Sequence, residues 1–167
     1  MAIRYCCFRR LLVADPMRIS QDAINPDKLR QALTDDAAGG YVAFEGWIRN
    51  ENEGQEVLRL EYEVYAHLAI SEGKKIIADA CSRYPILRAD CVHREGLLEI
   101  GECAVWVGVC SAHRDEAFAA CRFIIDEVKV RLPIWKKEHY VSGDSGWVNC
   151  ERCAQHAPPA REIMSSQ

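Results

Sequence analysis

The apolar residues of this chain switch between helical and strand periodicity, and this pattern predicts its elements. Asn25, followed by proline, has the form of a helix N-cap with proline at the first helical position, and the Gly-Gly pair at 39–40 ends this short helix. Apolar and polar residues then alternate over 41–49, and again over 58–64 after a polar, glycine-containing loop at 50–56. We expect these two strands to pair with each other. The apolar face of the second strand consists of Leu58, Leu60, Tyr62 and Val64.

The remaining pattern predicts two longer helices and two further strands. Apolar residues recur at three- and four-residue steps over 67–84, a helix that ends before Pro85. Residues 87–94 alternate as a strand, whereas 103–110 is apolar on both faces and is expected to be a central strand covered on each side. The longest helix follows and ends at Pro133. Its predicted buried stripe consists of Phe118, Cys121, Ile125 and Val128.

This order of elements predicts an α+β domain with a mixed, mainly antiparallel sheet packed with three main helices. The sequence GDSGW at 143–147 has the composition of a final hairpin turn. The chain has 167 residues, which is the size of one domain. We expect that domain to span residues 18–153, between an N-terminal extension, 1–17, and a flexible C-terminal tail, 154–167.

Composition is that of an ordinary globular protein. Hydrophobic residues make up 49% and charged residues 28%, which excludes a disordered or coiled-coil chain. The 21 Lys and Arg residues against 25 Asp and Glu residues give a formal net charge of -4. The surface as a whole is therefore not expected to bind nucleic acid, and any anion site must be local.

The longest apolar run is the eight residues 103–110, far fewer than the about 20 that a membrane-spanning helix needs. The start of the chain lacks the apolar run of a secretory signal. Nine cysteines are too few for a disulfide scaffold of this length. We therefore expect a cytoplasmic protein without membrane contact, whose cysteines are mostly reduced thiols.

The first candidate site is the segment SAHRDEAF, 111–118, where an apolar strand runs directly into a helix and leaves Ser111, His113 and Arg114 at the junction. Free backbone N–H groups at a helix N-terminus hold phosphate, and an adjacent Arg and His add charge-assisted hydrogen bonds. The pattern therefore predicts a local anion site. Its alternative interpretation is that Ser111 merely caps the helix while His113 and Arg114 are solvated.

The second candidate is the segment KVRLPIWKKEH, 129–139, which is basic within a chain of net negative charge. Such a run is usually a solvated surface, but Lys129 lies four residues after Ile125 and continues the predicted buried stripe. A lysine at the edge of a core, near other cations, gives up its proton more readily and can act as acid, base or nucleophile. Lys129 is thus a candidate catalytic residue. The directions of Lys136 and Lys137, which follow a proline, cannot be predicted from helical spacing.

The third candidate is FEGWIRN, 44–50, in which a glycine interrupts a strand. Glycine within a strand marks a bulge or a close backbone approach, as at a ligand. Arg49 stands where this strand gives way to a loop, so it is available to bind an anion.

Metal binding is not predicted. Cys150 and Cys153 have the spacing of half a zinc site, but a structural zinc site needs four ligands and no second cysteine pair accompanies them. His67 and His93 have no partner at metal-ligand spacing. Each is expected to be a surface histidine or a hydrogen-bonded core histidine.

Taken in order, the segments FEGWIRN, SAHRDEAF and DEVKVRLPIWKKE resemble the large, catalytic subunit of the molybdopterin synthase family. The RNENEG loop, the block YPILRADCVHREGLLEIGE and the GDSGWV turn extend the resemblance from about Gly40 to Cys153. The resemblance implies an α/β hammerhead fold and a homodimer that binds one small ubiquitin-like sulfur-carrier subunit at each end, which makes a heterotetramer. It implies no metal and no organic cofactor.

The activity implied by the resemblance is sulfur transfer. The carrier's C-terminal Gly-Gly, activated as a thiocarboxylate, threads into a pocket of the large subunit and donates sulfur to cyclic pyranopterin monophosphate. Two such transfers build the dithiolene of molybdopterin. The positions that match the family's substrate-contacting residues are Trp47, Ile48, Arg49, His113, Arg114, Lys129, Lys136, Lys137 and Glu138.

The resemblance and the residue chemistry together assign roles to these positions. Both ligands are anions, so Arg49, His113 and Arg114 are expected to bind the phosphate and the pterin. Lys129 is expected at the reacting centre, as acid/base or as a transient nucleophile toward the thiocarboxylate carbonyl, and Lys136 is expected to stabilise developing charge. Two alternatives stay open: a noncatalytic anion-binding or protein-docking module, and a small acylphosphatase-like phosphate enzyme.

Overall fold

The computed structural model describes residues 15–144 and 146–149, which contain three helices and ten strands. The helices are α1 (Pro26–Ala32), α2 (Ala66–Arg83) and α3 (Arg114–Arg131). The strands are β1 (Met17–Ser20), β2 (Gly40–Trp47), β3 (Glu51–Asn52), β4 (Gln55–Val64), β5 (Ile86–Arg94), β6 (Gly96–Glu99), β7 (Cys103–Ser111), β8 (Ile134–Tyr140), β9 (Gly143–Asp144) and β10 (Val148–Asn149). The predicted C-terminal tail, 154–167, lies outside the described residues, as does most of the predicted N-terminal extension.

The first sheet is mixed and has the strand order β1-β5-β7-β2. β1 runs parallel to β5, whereas β5 and β2 both run antiparallel to β7. The prediction of a central strand at 103–110 is confirmed, because β7 has a neighbour on each side and is buried from Ala104 to Ser111. α2 and α3 pack on one face of this sheet and enclose the main core, which includes Val107, Cys121 and Ile124.

The second sheet is antiparallel and has the order β10-β8-β4-β3, with β6 beside β4 and β9 beside β8. The prediction that the strands at 41–49 and 58–64 pair with each other is wrong. β2 pairs with β7, because an apolar central strand needs a backbone partner along both of its edges. β4 pairs with β8 instead, and the predicted loop at 50–56 contains the hairpin of β3 with the start of β4.

Two predicted apolar faces are each wrong at one position. Leu58 is exposed, because a bulge at the start of β4 shifts the alternation and buries Val57 in its place. Phe118 is also exposed, because the buried stripe of α3 begins with the small residues Ala117 and Ala120. The rest of the stripe, which includes Cys121, Ile125 and Val128, is confirmed.

The α+β class, with mixed, mainly antiparallel strands and three helices, is confirmed. The helix at 67–84 and the strand at 87–94 are confirmed as α2 and β5. The last hairpin differs, since the chain turns at 141–142 between β8 and β9, ahead of GDSGW. No helix within the described residues is both long and apolar enough to cross a membrane.

β1 was not predicted from the sequence, yet its first residue belongs to the main core. Met17 is fully buried against α2, where a Cβ added to Gly73 would lie 2.2 Å from Met17 Cγ. The N–H of Cys91 donates to the carbonyl of Pro16 at 3.0 Å, so pairing with β5 begins one residue before the strand. The predicted extension, 1–17, thus contributes its last residue to the core.

Replacing Met17 with Ala is expected to lower the free energy of unfolding by about 2–4 kcal/mol, because a buried side chain is lost and a cavity remains against α2. The control Met17→Leu keeps the volume and is expected to cost less than about 1.5 kcal/mol. Urea unfolding of the two variants and the wild type measures both values. Small and equal losses would show that β1 is not part of the cooperative core.

Candidate functional site

A cavity of about 580 Å³ lies at the junction of the two sheets, beside the C-terminal half of α3. Residues from β2, β3, β4, β5, β7, β8 and α3 line it, so its shape depends on the packing of the whole fold. Its cations are Arg49, Lys129 and Lys136. Its acids are Glu45, Glu51 and Glu138. One cavity therefore collects three of the cations that the sequence assigned to the site.

The end of β2 is shaped by a glycine. Gly46 lies at a β-bulge, and a Cβ there would come within 2.7 Å of Val105 Cγ1 on β7. The bulge or close approach predicted from FEGWIRN is thus confirmed. Beyond it, Ile48 is buried in a small second core, while Trp47 is exposed at the cavity and donates its indole N–H to Glu45 Oε2 at 3.0 Å.

Arg49 and Lys136 reach the cavity from different elements and are joined by a chain of hydrogen bonds. Arg49 Nη2 donates to Asn52 Oδ1 at 2.8 Å, and Asn52 Nδ2 donates to Glu138 Oε2 at 2.8 Å. Lys136 Nζ donates to Glu138 Oε1 at 2.9 Å, and the Tyr140 hydroxyl donates to Oε2 of the same carboxylate. Glu138 is only 7% exposed, so a buried carboxylate is satisfied by three side-chain donors.

These hydrogen bonds decide the charge of Glu138. Burial alone would raise its pKa, but the hydrogen bonds from Tyr140, Lys136 and Asn52, with the charge of Lys136, outweigh burial and hold the pKa below its ordinary value. The carboxylate is therefore ionised at neutral pH. Both of its oxygens are bound to protein donors, so it orients the groups around it within this chain.

Lys129 lies on the rim of the cavity, in the last turn of α3. The residue is exposed, so its predicted position at a desolvated core edge is wrong for the single chain. The reason is geometric: Lys129 and the exposed Phe118 are about three helical turns apart, so both lie along one edge of the helix, beside the buried stripe. From this rim, the charge of Lys129 acts on His93 in the cavity wall.

His93 is a buried, hydrogen-bonded histidine, as one of the two predicted environments requires, and it is 6% exposed. Its ring stands edge-on to Tyr62, with the centroids 5.0 Å apart, and its Nδ1 lies 2.7 Å from the carbonyl oxygen of Arg94. A carbonyl only accepts, so Nδ1 carries the proton and Nε2 of the neutral ring is an acceptor. Burial, together with the charge of Lys129 and despite the hydrogen bond to Arg94, lowers the pKa of His93 to about 4.

The structure separates His113 and Arg114 from the cavity. They form the exposed N-cap and the first residue of α3, and Arg114 Nε lies 3.6 Å from Asp115 Oδ1. Lys129 is near the other end of the same helix, about 22 Å away at 1.5 Å per residue. Ser111 does not cap the helix, because its hydroxyl donates to the carbonyl of His113. The predicted anion site at 111–118 and the cavity are therefore two separate places in one chain.

β8 decides the directions of the two lysines that helical spacing left open. Lys136 lines the cavity together with Ile134 and Glu138, at alternate positions of the strand. Lys137 lies on the opposite face, paired in register with Glu61 of β4. The structure thus brings Lys136 to the cavity and does not bring Lys137 there.

Sequence reasoning missed several residues of the cavity and its network, among them Asn52, Tyr62, His93 and Tyr140. Tyr140 follows Lys136 and Glu138 at two-residue steps, so strand periodicity was a signal that could have found it. Asn52 lies in the RNENEG loop, and no local spacing connects it to β8. Tyr62 and His93 come from different strands, and only the packing of the two sheets brings their rings together.

The sequence predicted no metal site, and the structure describes only part of the chain to which this prediction applies. Among residues 15–144 and 146–149, no group of three or more His, Cys, Asp or Glu side chains is arranged to hold a metal ion. Cys150 and Cys153, which have the spacing of half a zinc site, lie outside those residues.

Comparison with known sequences identifies relatives across most of the chain. The family model described as MoaE protein matches residues 19–131. A Nostoc protein named molybdopterin synthase catalytic subunit is 37% identical over 144 residues, which cover 86% of this chain and 87% of that protein. A Pyrococcus abyssi protein of the same name is 43% identical over 129 residues, which cover 77% of this chain and 84% of that protein.

Comparison with solved structures gives the same result for the fold. Molybdopterin synthase from Staphylococcus aureus matches with a TM-score of 0.74 at 31% identity, over 78% of this chain and 94% of that chain. A protein–protein complex of subunits 1 and 2 of molybdopterin-converting factor from Helicobacter pylori matches with a TM-score of 0.64 at 21% identity, over 77% and 87% of the two chains. At that identity the second likeness shows the fold alone. The fold implied by the sequence resemblance is thus confirmed.

Acid is expected to destabilise this protein through His93. Its pKa is lower in the folded chain, so between pH 6.5 and about 4 the unfolded state binds a proton that the folded state does not. Stability should therefore fall as the pH falls through this window, by up to about 3 kcal/mol, and His93→Gln should flatten the dependence. Urea unfolding across the window measures it.

The matched control is His67→Gln on the exposed surface of α2, which should keep the wild-type pH dependence. If the wild type and His93→Gln lost stability equally as the pH falls, the buried ring of His93 would not be the cause.

Proposed function

This chain belongs to the MoaE protein family, and from that membership we propose that it is the catalytic subunit of a molybdopterin synthase. It transfers sulfur from the thiocarboxylated C-terminus of a small carrier subunit to cyclic pyranopterin monophosphate, and so forms the dithiolene of molybdopterin. The observation that carries the proposal is the cavity in which Arg49, Lys129 and Lys136 come together.

The individual cations of the cavity support a site for two anionic ligands. A chain with a net charge of -4 places three cations in one cavity between its sheets. The cyclic phosphate and the thiocarboxylate each gain charge-assisted hydrogen bonds from such groups. The apolar side chains of Ile125 and Val128 in the same wall give a flat heterocycle a surface to pack against.

The exposure of the three cations supports different roles. Lys136 is held by Glu138 and has a fixed position, which suits a group that stabilises charge developing on the reacting atoms. Lys129 is exposed on the rim, where a ligand in the cavity can reach it, and we assign to it the role of acid/base or of transient nucleophile toward the thiocarboxylate carbonyl. Arg49 binds the phosphate or the pterin.

We propose that His113 and Arg114 of a second copy of the chain complete this site. The two residues have the chemistry of an anion site, but α3 holds them about 22 Å from Lys129 of their own chain. Both are exposed at the helix N-terminus, so a partner is able to reach them. A homodimer that joins the N-terminal end of one α3 to the cavity of the other copy accounts for all of these positions.

The sulfur donor is a small ubiquitin-like carrier subunit that ends in Gly-Gly. The Helicobacter pylori relative of this fold is solved as a complex of two subunits, which supports a partner of this kind. One carrier at each end of the homodimer makes a heterotetramer, and we place the assembly in the cytoplasm. The extended carrier tail enters the cavity past Trp47 and Lys129.

Incubation of the protein with thiocarboxylated carrier and cyclic pyranopterin monophosphate is expected to yield molybdopterin, which chromatography with fluorescence detection measures. Deletion of the carrier's Gly-Gly should abolish product, because the reacting sulfur then cannot enter the cavity. Phosphate release from the pterin without the carrier would instead support the acylphosphatase-like alternative. Binding of the carrier without any product would support a docking module.

Mixing two impaired variants, assayed at a pterin concentration well below KM, tests the shared site. Lys129→Ala should lower sulfur transfer about 100-fold, as expected for lost acid/base catalysis, and Arg114→Ala should weaken pterin binding by about 1–3 kcal/mol. If the site joins Lys129 of one copy to Arg114 of the other, refolding the two variants together regenerates one intact site in each mixed dimer. Activity should then return to about a quarter of the wild-type rate at random pairing.

The control is a mixture of Lys129→Ala and Lys136→Ala, which damages the cavity of both copies and should restore nothing. Failure of the Lys129→Ala and Arg114→Ala mixture to exceed the two separate variants would contradict the shared site.

A further inference from the structure

We propose that Asn52 is a positioning residue of the active site, which holds Arg49 in the phosphate subsite and, through Glu138, holds Lys136 against the reacting atoms. The inference rests on the proposed function, because it assigns a purpose to the geometry of that same cavity. Asn52 lines the cavity; its amide oxygen accepts from Arg49, and its amide nitrogen donates to Glu138, which in turn binds Lys136.

A tight hairpin fixes the backbone of Asn52. It is the last residue of β3 and pairs with Gln55 across a two-residue turn formed by Glu53 and Gly54. Both turn residues have positive φ, 51° and 76°, as the turns that suit the twist of a hairpin require. The N–H of Val57 donates to the carbonyl of Asn50 at 2.9 Å and closes the hairpin. The side chain of Asn52 is therefore carried to β8 by a short, rigid element.

The charges on either side dictate which way the amide faces. Its oxygen accepts from the Arg49 guanidinium, and its nitrogen donates to the Glu138 carboxylate, each at 2.8 Å. A rotated amide would set its N–H₂ against the guanidinium and its oxygen against the carboxylate, which is unfavourable at both contacts. The nitrogen also lies 3.3 Å from the Tyr140 hydroxyl. Asn52 thus has one stable orientation, and both of its ends touch a charged group.

Each cation depends on this amide in a different way. Within residues 15–144 and 146–149, Asn52 is the one side chain to which Arg49 donates a hydrogen bond. Arg49 is exposed, so without Asn52 its long side chain would sample many rotamers and lose its aim at the phosphate. Lys136 depends on Asn52 through Glu138, because the amide fixes one carboxylate oxygen while the lysine binds the other.

No other common side chain of this size serves both contacts. Aspartate would still accept from Arg49, but its second oxygen would meet the Glu138 carboxylate, and two carboxylates at that distance share a proton. Leucine has a similar size and makes neither hydrogen bond. The two replacements therefore remove the same bridge, and only aspartate allows protonation to restore it.

The experiment compares Asn52→Asp and Asn52→Leu with the wild type in the sulfur-transfer assay, with Asn50→Asp as the matched control. Asn50 is an exposed neighbour in the same loop, so its replacement adds the same charge outside the network. At neutral pH both Asn52 variants should lose about ten- to hundredfold in kcat/KM, the range for a lost hydrogen bond to a charged group. Asn50→Asp should stay within about twofold of the wild type.

The pH dependence of the loss separates a positioning role from a merely structural one. The activity of Asn52→Asp relative to wild type should rise as the pH falls, because the proton taken up between the two carboxylates replaces the lost N–H donor. The ratio for Asn52→Leu should not rise as the pH falls, because leucine cannot share a proton with Glu138. Arg49, Glu51, Lys129 and Lys136 are present in every variant, whereas Glu138 loses in both Asn52 variants one of the donors that lower its pKa. Asn52→Leu is therefore the reference against which the pH dependence of Asn52→Asp is judged.

Coupling to Arg49 supplies the second readout. Asn52→Leu should raise the KM for the pterin about tenfold in the wild-type background and leave it nearly unchanged in the Arg49→Ala background, because the arginine through which it acts is gone. Additive increases in KM would overturn the positioning role. Equal kcat/KM for the wild type and Asn52→Asp at neutral pH, or a pH-independent ratio for Asn52→Asp, would also overturn it.

The experiments distinguish a failure of the role of Asn52 from a failure of the proposed function. If the wild type forms no molybdopterin, the proposed function has failed, whereas an active wild type with unaffected Asn52 variants refutes this inference alone. Thermal unfolding of each variant shows whether it is folded. Should Asn52→Leu not fold, the nearly isosteric Asn52→Asp decides the question by its pH-dependent ratio.

Discussion

The buried carboxylate of Glu138 is the contact on which the arrangement of the cavity depends. Burying an ionised carboxylate is costly unless donors satisfy it, and here Asn52, Lys136 and Tyr140 do so. These donors come from β3 and from β8, two strands of the second sheet that β4 separates, so a single charge ties the β3 hairpin to β8. The same bonds that hold the β3 hairpin against β8 therefore position Arg49 and Lys136 at the cavity.

The other charged and polar groups of the cavity also balance one another. Three acids stand among the three cations, so the lining has a formal net charge of zero and offers a ligand individual cations and not a net positive charge. His93 adds no further charge, because burial and nearby Lys129 keep its ring neutral and the Arg94 carbonyl sets its tautomer. The cavity therefore has two different surfaces. His93 is a neutral acceptor in the buried wall, and Lys129 is a charged group on the exposed rim, where ligands can reach it.

The helix α3 sets the distance between the two groups of candidate residues. A straight helix of 18 residues is a rigid spacer, so its N-terminal His113 and Arg114 and its C-terminal Lys129 cannot approach one another within one chain. Arg131 makes the helix still less able to bend, because it binds Glu72 and Asp79 of α2 as well as Glu127 of its own helix. A site that uses both ends of α3 must therefore be assembled from two chains, and this makes dimerisation a condition for activity in the proposed function.

The sequence by itself determined the elements whose signal is local: the apolar strand β7, the helix α2 and the bulge at Gly46. Residue patterns also singled out Arg49 and Lys129, and the family resemblance added a role for Lys136; the structure brings all three to one cavity. Only the tertiary structure decided the partner of β2, the exposed position of Lys129, the opposite directions of Lys136 and Lys137, and the bridge through Asn52. Periodicity reports which face of an element is apolar, whereas strand pairing, cavity walls and hydrogen bonds between Asn52 and Glu138 join residues far apart in the chain. Those contacts follow from the order of the strands within each sheet and from how the two sheets meet, and no spacing along the sequence encodes them.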